Sequence, residues 1–274
     1  RTGMDVQFTA QSPDGTQSFD TRLKPMDGGG YLMVIDSQTL DLSPDAPRPL
    51  VYDFDLLDQQ RGAAEMDILD RPLRGLCFSV FDTETTGLLP HKDDVVQLGA
   101  VRVLNGRIIE GEKINQLVDP GRTIPPASTK VHKVTDAMVR GKPDIRAVAK
   151  RFHDFSRDAV IVAHNAPFDM AFLHRQAKDT GVTWDHPILD TVLLSAVLFG
   201  ASERHTLDAL CERLSVSIPA ELRHTALGDA RATAEVLVKM LPMLEARGLT
   251  TFGQVIEETL RHGRLLAHLK LAAR

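Results

Sequence analysis

Hydrophobic and polar positions follow two different rhythms along the chain. Up to about residue 40 they alternate, in Val6-Gln7-Phe8-Thr9, in Ser18–Leu23 and in Tyr31–Asp36. Between these runs lie Ser12-Pro13-Asp14-Gly15 and Asp27-Gly28-Gly29-Gly30. A period of two bounded by turn-forming residues predicts strands, so residues 1–40 read as a small three-stranded β meander. Three strands alone make a marginal unit. Over residues 41–74 the alternation stops. Ser43-Pro44-Asp45-Ala46-Pro47-Arg48-Pro49 and the acidic stretch behind it read as a linker, with one short helix from Tyr52 to Met66.

From Leu76 onward the apolar runs lengthen. Cys77–Phe81 is a short buried strand that runs into Asp82, and Val95–Val101 is a second. Asn105-Gly106 marks a hairpin into a third strand, Ile108–Val118. Helical spacing follows around Ala127–Val139 and Pro143–Phe155. The buried strand Val160–Ala163 leads into a helix from about Pro167 to Lys178, and Ile188-Leu189 is a short strand. Further helices are expected near Thr191–Phe199, Thr206–Leu214 and Ala226–Ala246, and one more with basic character from Phe252 to Leu271. Hairpins followed by alternating helices and strands describe an α/β domain, a mixed sheet flanked by helices, over residues 75–246. Residues 247–274 read as a C-terminal helical extension.

Composition adds limits rather than a function. A hydrophobic share of 43% and a charged share of 25% fit a globular protein. No apolar run reaches the roughly 18–20 residues of a membrane span. Cys77 and Cys211 form no Cys-x-x-Cys pair and read as buried free thiols in a reducing cytosol. The chain opens on Arg1 rather than Met, which implies that a longer protein precedes it. The net charge of −5 is unevenly spread. Nine acids face two bases between Asp36 and Asp70, whereas nine Lys/Arg face three acids between Arg122 and Arg157. The basic stretch could track phosphates or be a solvated helix face.

Four carboxylates stand where the apolar pattern calls for core residues. Asp82 and Glu84 end an otherwise apolar strand, two positions apart and therefore on one face. Crowding two carboxylates at a core edge costs on the order of several kcal/mol unless something neutralises them. Thr83, Thr85, Thr86 and Gly87 around them supply hydroxyls and an approachable backbone. Asp169 sits in the first turn of its helix, where an acid suits the helix dipole. Yet it shares a face with Phe172 and Leu173, so it points inward. Asp229 opens a helix whose apolar row continues through Thr233, Val236 and Met240. His224, five positions earlier, is either a surface histidine or a proton acceptor beside that acid. One mechanism uses all five: carboxylates can hold two divalent cations about 3.5–4 Å apart that activate water and stabilise the leaving oxygen. Oxygen ligands favour Mg²⁺ or Mn²⁺ over Zn²⁺. A histidine with an ordinary pKa of roughly 6.5 can take the water's proton near neutral pH.

Three segments carry a family resemblance. Phe81-Asp82-Thr83-Glu84-Thr85-Thr86-Gly87, His164-Asn165-Ala166-Pro167-Phe168-Asp169 and His224-Thr225-Ala226-Leu227-Gly228-Asp229 resemble, in order, the three exonuclease motifs of the DEDDh branch of the DnaQ-like 3′→5′ exonucleases. The resemblance spans about Leu76 to Leu244 and is strongest to the epsilon proofreading subunits of bacterial DNA polymerase III. It implies a ribonuclease H-like fold. It also implies metal coordination by Asp82, Glu84 and Asp229, with Asp82 bridging to a second ion and Asp169 joining directly or through water, and His224 as general base. Val131-His132-Lys133-Val134-Thr135 resembles the family's stretch beside the 3′ nucleotide, with Lys133 where glycine is common. Thr83, Thr85, Thr86, Gly87, His132, His164, Asn165 and Phe168 are the implied substrate neighbours. Asp190 matches a recurrent family acid and reads as a cap of the next helix.

The expected activity is two-metal-dependent hydrolysis of phosphodiester bonds at the 3′ end of DNA, in proofreading or repair, with single-stranded DNA as the first candidate substrate. The alternatives are a 3′→5′ exoribonuclease of the RNase T or oligoribonuclease kind and a non-catalytic nucleic-acid-binding or signalling module. Residues 1–40 also resemble the last strands of a PAS sensor domain. That brings in a sensor-domain partner beside a DNA polymerase partner, in a cytoplasmic setting.

Overall fold

The computed structural model describes residues 6–11, 18–25, 31–36, 68–200, 202–219 and 221–261. The chain divides into two compact units, residues 1–53 and 54–274. In the first, strands β1 (Val6–Gln11), β2 (Ser18–Pro25) and β3 (Tyr31–Asp36) form an antiparallel sheet in the order β1-β2-β3. The helix expected over residues 52–66 lies outside the described residues, as does the stretch of the C-terminal helix beyond residue 261.

The second unit is built on five strands: β4 (Cys77–Thr85), β5 (Val95–Leu104), β6 (Arg107–Leu117), β7 (Val160–Ala163) and β8 (Ile188–Asp190). Their order is β6-β5-β4-β7-β8. The hairpins make β4–β5–β6 antiparallel, and the helical crossovers make β4–β7–β8 parallel, which is the mixed sheet that the pattern predicts. β4 is central and buried on both sides, hence its continuous apolar run.

Eight helices follow among the described residues: α1 (Pro126–His132), α2 (Asp136–Val139), α3 (Ile145–Phe155), α4 (Ala166–Thr180), α5 (Thr191–Phe199), α6 (Leu207–Leu214), α7 (Ala226–Ala246) and α8 (Phe252–Arg261). None is long and apolar enough to cross a membrane. Strand alternation sorts them into two layers. Phe78, Val80, Val101 and Val103 point to one face and pack with Leu194, Leu210, Val236, Met240 and Val255 of α5–α8. Phe81, Leu98, Ala100 and Ile114 point to the other and pack with Phe152 of α3 and with Phe172 and Leu173 of α4. An open mixed sheet covered by helices on both faces is the ribonuclease H-like architecture.

The apolar pattern around residues 127–139 is not one helix but two. Lys133 ends α1 in the left-handed region, at φ 63° and ψ 1°, and its N–H donates to the Thr129 carbonyl. The turn brings Val134 and Val139 together onto Val96 and Ile124, which a straight helix could not do. A left-handed lysine costs about 1–2 kcal/mol, so a position where glycine is the easy residue is held here by its packing.

Helix α7 reaches the sheet through an opening in the side-chain layer. A Cβ on Gly99 of β5 would lie 2.2 Å from the carbonyl carbon of Ala226 and the nitrogen of Leu227. Gly99 lies directly opposite Asp82 in the β4–β5 register. The start of α7 therefore rests on bare backbone beside Asp82. Gln97 Oε1 accepts from the Ala226 N–H (3.2 Å) and Thr225 Oγ1 from the Gly228 N–H (3.1 Å), which satisfies two free donors of the helix start. Gly99→Ala forces that helix start off the sheet. We expect the urea midpoint to fall by the equivalent of about 1–3 kcal/mol; an unchanged midpoint would show that α7 is not held by this approach.

Candidate active site

Asp82 and Glu84 leave β4 on the α7 side of the sheet, in step with Phe78 and Val80 below them. Asp229 sits in the first turn of α7, one turn beyond the contact with Gly99, and is thereby delivered above them. One carboxylate oxygen from each of Asp82, Glu84 and Asp229 lies within 4.8 Å of the others, and all three residues are half-buried. An all-oxygen set at that spacing, without cysteine or histidine, suits a hard divalent cation.

Electrostatics supports that fit. Burial, then the charges of Asp169, Glu84 and Asp229, push Asp82 well above the usual carboxylate range. Burial and the charges of Asp229 and Asp169 raise Glu84 to about 8. Asp229 is raised by burial and partly relieved by His224. Carboxylates this close cannot all ionise at neutral pH by themselves; a bound cation removes the conflict.

Asp169 approaches from the other layer. It is buried in the first turn of α4, and its Oδ1 accepts from the Thr83 N–H (3.1 Å) and the Thr83 hydroxyl (2.6 Å). Thr83 alternates with Asp82 and Glu84, so Asp169 meets β4 from the opposite face and lies outside the three-oxygen group. Burial raises it to about 7, against the lowering effect of the two Thr83 hydrogen bonds.

The threonines of the first motif are engaged internally. Thr85 Oγ1 donates to the Gly87 carbonyl (2.7 Å), and Thr86 Oγ1 accepts from the Asp94 N–H (3.0 Å). Gly87 is needed for closeness: a Cβ there would lie 2.4 Å from the Asp93 carboxylate. Arg175 of α4 fastens the same loop, donating to the Pro90 carbonyl and to Asp94, each at 2.6 Å.

The second motif bends at Asn165, which is left-handed at φ 66° and opens α4. Asp190 holds the bend, accepting from the N–H groups of Asn165 (3.0 Å), Ala166 (3.0 Å) and Val192 (2.8 Å), so it caps α5 and braces the motif at once. His164 Nδ1 lies 2.9 Å from Thr191 Oγ1. Burial, helped by the nearby His205, lowers His164 to about 4, so it is neutral at physiological pH. Phe168 is half-buried, edge-on to Phe172 at 5.3 Å. His132 is only 3% exposed, and its Nδ1 accepts from the Val134 N–H (3.1 Å), supporting the turn at Lys133.

His224 is exposed and left-handed at φ 56°, two residues before the first residue of α7. Such a backbone is uncommon outside glycine, and histidine is among the residues that adopt it most readily. It turns the chain sharply into the Thr225 cap.

Sequence reasoning passed over the residues that hold the frame. Gln97 was the visible clue, a lone amide in the run Val95–Val101. It lies opposite Glu84, caps α7, and its Nε2 donates to Asn115 Oδ1 (2.9 Å). Gly99 carried no local signal, because its reason is a helix 127 residues away in sequence. Ser195 and His205 Nδ1, 2.7 Å apart beneath the second motif, were likewise missed.

The chain is similar to several known proteins. A "DNA polymerase III subunit epsilon-like protein" of Rhodobacter capsulatus is 57% identical over 220 residues, which are 80% of this chain and 31% of that protein. A "DNA polymerase III PolC-type" of Caldanaerobacter subterraneus is 36% identical over 178 residues, 65% of this chain and 12% of that protein. The chain thus spans under a third of the length of these curated relatives. Among solved structures, Exonuclease X in complex with 5′ overhanging duplex DNA is 29% identical, with a TM-score of 0.53, over 66% of this chain and 99% of that one. E. coli Exonuclease I in complex with a dT13 oligonucleotide shares the fold, with a TM-score of 0.54 at 18% identity over 63% of this chain and 42% of that one. The PAS-like resemblance of residues 1–40 gains no support from the family match, which begins at residue 79. The Exonuclease (RNase T) family model matches residues 79–237, from β4 into α7, so this chain belongs to the RNase T exonuclease family.

Proposed function

We propose that the chain hydrolyses phosphodiester bonds at the 3′ end of DNA, releasing nucleotides in the 3′→5′ direction with two Mg²⁺ or Mn²⁺ ions. The observation that carries this reading is the convergence of Asp82, Glu84 and Asp229 within 4.8 Å in an exonuclease-family domain. Single-stranded DNA is the preferred substrate of the reading, in keeping with the dT13 oligonucleotide held by Exonuclease I. The name of the Rhodobacter relative favours a setting in replication or repair, with a DNA polymerase as partner.

In this reading Asp82, Glu84 and Asp229 would hold one ion, Asp82 would also serve the second, and Asp169 would join directly or through water. When bound, the ions polarise the attacking water and neutralise charge on the leaving oxygen. The protein's own work is positional. Thr83 fixes Asp169, and Gly99 and Gln97 fix the start of α7 and hence Asp229. His224 accepts the water's proton on its imidazole, and its exposure lets that proton pass on to solvent. The first-motif loop, His132, His164, Asn165 and Phe168 surround the terminal nucleotide; a neutral His164 adds no charge beside the phosphate.

Asp82→Ala and Asp229→Ala should each abolish hydrolysis of 5′-labelled single-stranded DNA while circular dichroism stays that of the folded protein; cleavage at the wild-type rate would remove these residues from the centre. His224→Ala is expected to lower kcat by roughly 10²–10⁴ with little change in KM, and wild-type turnover would remove it as the base. Matched RNA oligonucleotides provide the comparison: faster loss of RNA than of DNA would overturn the DNA assignment.

The raised carboxylates also predict a pH-dependent stability. Without divalent ions, the folded state keeps protons on Glu84 up to about 8 and on Asp169 up to about 7, while the unfolded chain releases them near pH 4. The folded state then binds more protons than the unfolded one across this window, so stability falls as pH rises from about 4 to about 8. Adding Mg²⁺ or Mn²⁺ should raise Tm more at pH 8 than at pH 6, because the ion binds the deprotonated form. A pH-independent Tm increment in differential scanning fluorimetry would contradict the carboxylate cluster as its origin.

A further inference from the structure

A cleft of about 410 Å³ opens on the same sheet face as the carboxylates, between the start of α7 and the α1–α2 turn. Gln97, Asn115 and Leu117 of β5 and β6 form its floor, and Lys133, Met138, Lys142 and Thr225 stand at its sides. The register ties it to the centre: Asp82 faces Gly99, and Gly99 faces Asn115, so the cleft is two strands across from the carboxylates. Two inter-strand spacings amount to about 10 Å. Thr225 is the neighbour of His224, so the cleft begins where the third motif ends.

Its chemistry is mixed in a particular way. Leu117 and Met138 offer apolar surface, and Met138 is 44% exposed. Asn115 lines the cleft and spends its Oδ1 on Gln97, so its Nδ2 donors are the polar atoms it has left to offer. Lys133 and Lys142 are exposed at the rim. Within the basic stretch Arg122–Arg157, Arg146, Arg151 and Arg157 are engaged by Asp144, Gln116 and Asp154. Lys142 has no ion-pair partner among the described residues, and Lys133 Nζ donates to the Lys130 carbonyl with donors to spare. In a chain of net charge −5, a polyanionic strand needs cations along its path.

We propose that this cleft is a nucleotide subsite for the substrate strand upstream of the scissile bond. Lys133 and Lys142 pair with its phosphodiester, Asn115 Nδ2 donates to it, and a base or sugar lies on Leu117 and Met138. The subsite rests on the exonuclease reading of the neighbouring carboxylates, and it gives that centre a grip on a strand rather than on a single nucleotide.

The test compares the wild-type chain with Lys133→Gln/Lys142→Gln and, as a variant that leaves the α1–α2 backbone untouched, Lys142→Glu. Binding of a 5′-fluorescein-labelled dT oligonucleotide is measured by anisotropy in EDTA over a salt series. We expect at least fivefold weaker binding at low salt for both variants. For the double variant, the log–log salt slope should be shallower by about 0.7 per lost contact. In Mg²⁺, kcat/KM on the same oligonucleotide is divided by kcat/KM on the p-nitrophenyl ester of thymidine 5′-monophosphate, which has no upstream nucleotide. That ratio should fall about tenfold. Affinity, salt slope and ratio all at wild-type values would overturn the subsite while leaving the exonuclease reading intact. Lysine-dependent binding without hydrolysis of either substrate would overturn the exonuclease reading and support the cleft as a nucleic-acid site.

Discussion

The first turn of α7 lies on the bare backbone of β5 at Gly99, and that approach sets where Asp229 can be. β4 supplies two of the carboxylates by simple alternation, but the third comes from a helix that could sit at many heights above the sheet. Removing one side chain from β5 fixes the height, and the Gln97 amide fixes the lateral position by capping Ala226. Because Gly99 is opposite Asp82 and Gln97 opposite Glu84, the two residues that seat the helix are the cross-strand neighbours of the two acids it completes. Alignment of the three carboxylates and attachment of α7 to the sheet are one structural event.

The same event concentrates charge. Burial first, and at Asp82 and Glu84 the neighbouring acid charges second, raise these carboxylates so far that the folded protein holds extra protons near neutral pH. Such a cluster opposes folding unless a cation or protons relieve it, so the hydrophobic layers on either side of β4 must hold it in place. Phe78 and Val80 on one face and Phe81 on the other, all fully buried, do that immediately below the acids. The arrangement is prepared for a cation before one arrives, which is the condition for electrostatic preorganisation.

Around this core a second set of polar contacts keeps the neighbouring segments still. Thr83 ties β4 to α4 through Asp169, Asp190 ties the bend at Asn165 to α5, and Arg175 ties α4 to the loop after Gly87. These are buried or half-buried contacts with backbone donors or charged partners, which are the stronger kind. They link three separate stretches of chain, so the motifs behave as one rigid rim rather than as independent loops.

Strand and helix order, the mixed sheet and the out-of-place acids could be read from residue order alone, because each rests on local periodicity or on a charge out of place in an apolar run. Asp82 and Glu84 were legible as a same-face pair, Asp169 and Asp229 as inward acids beside Phe172 and Val236, and Asp190 as a cap. Contacts between distant segments settle that Asp169 meets β4 from the opposite layer, that the apolar stretch at 127–139 breaks at Lys133, and that Gln97 and Gly99 seat α7. Those outcomes depend on which distant segment arrives and how closely. A glycine whose purpose is a helix 127 positions later leaves no trace in its own neighbourhood, since the constraint is steric exclusion between segments and not a preference of the residue itself.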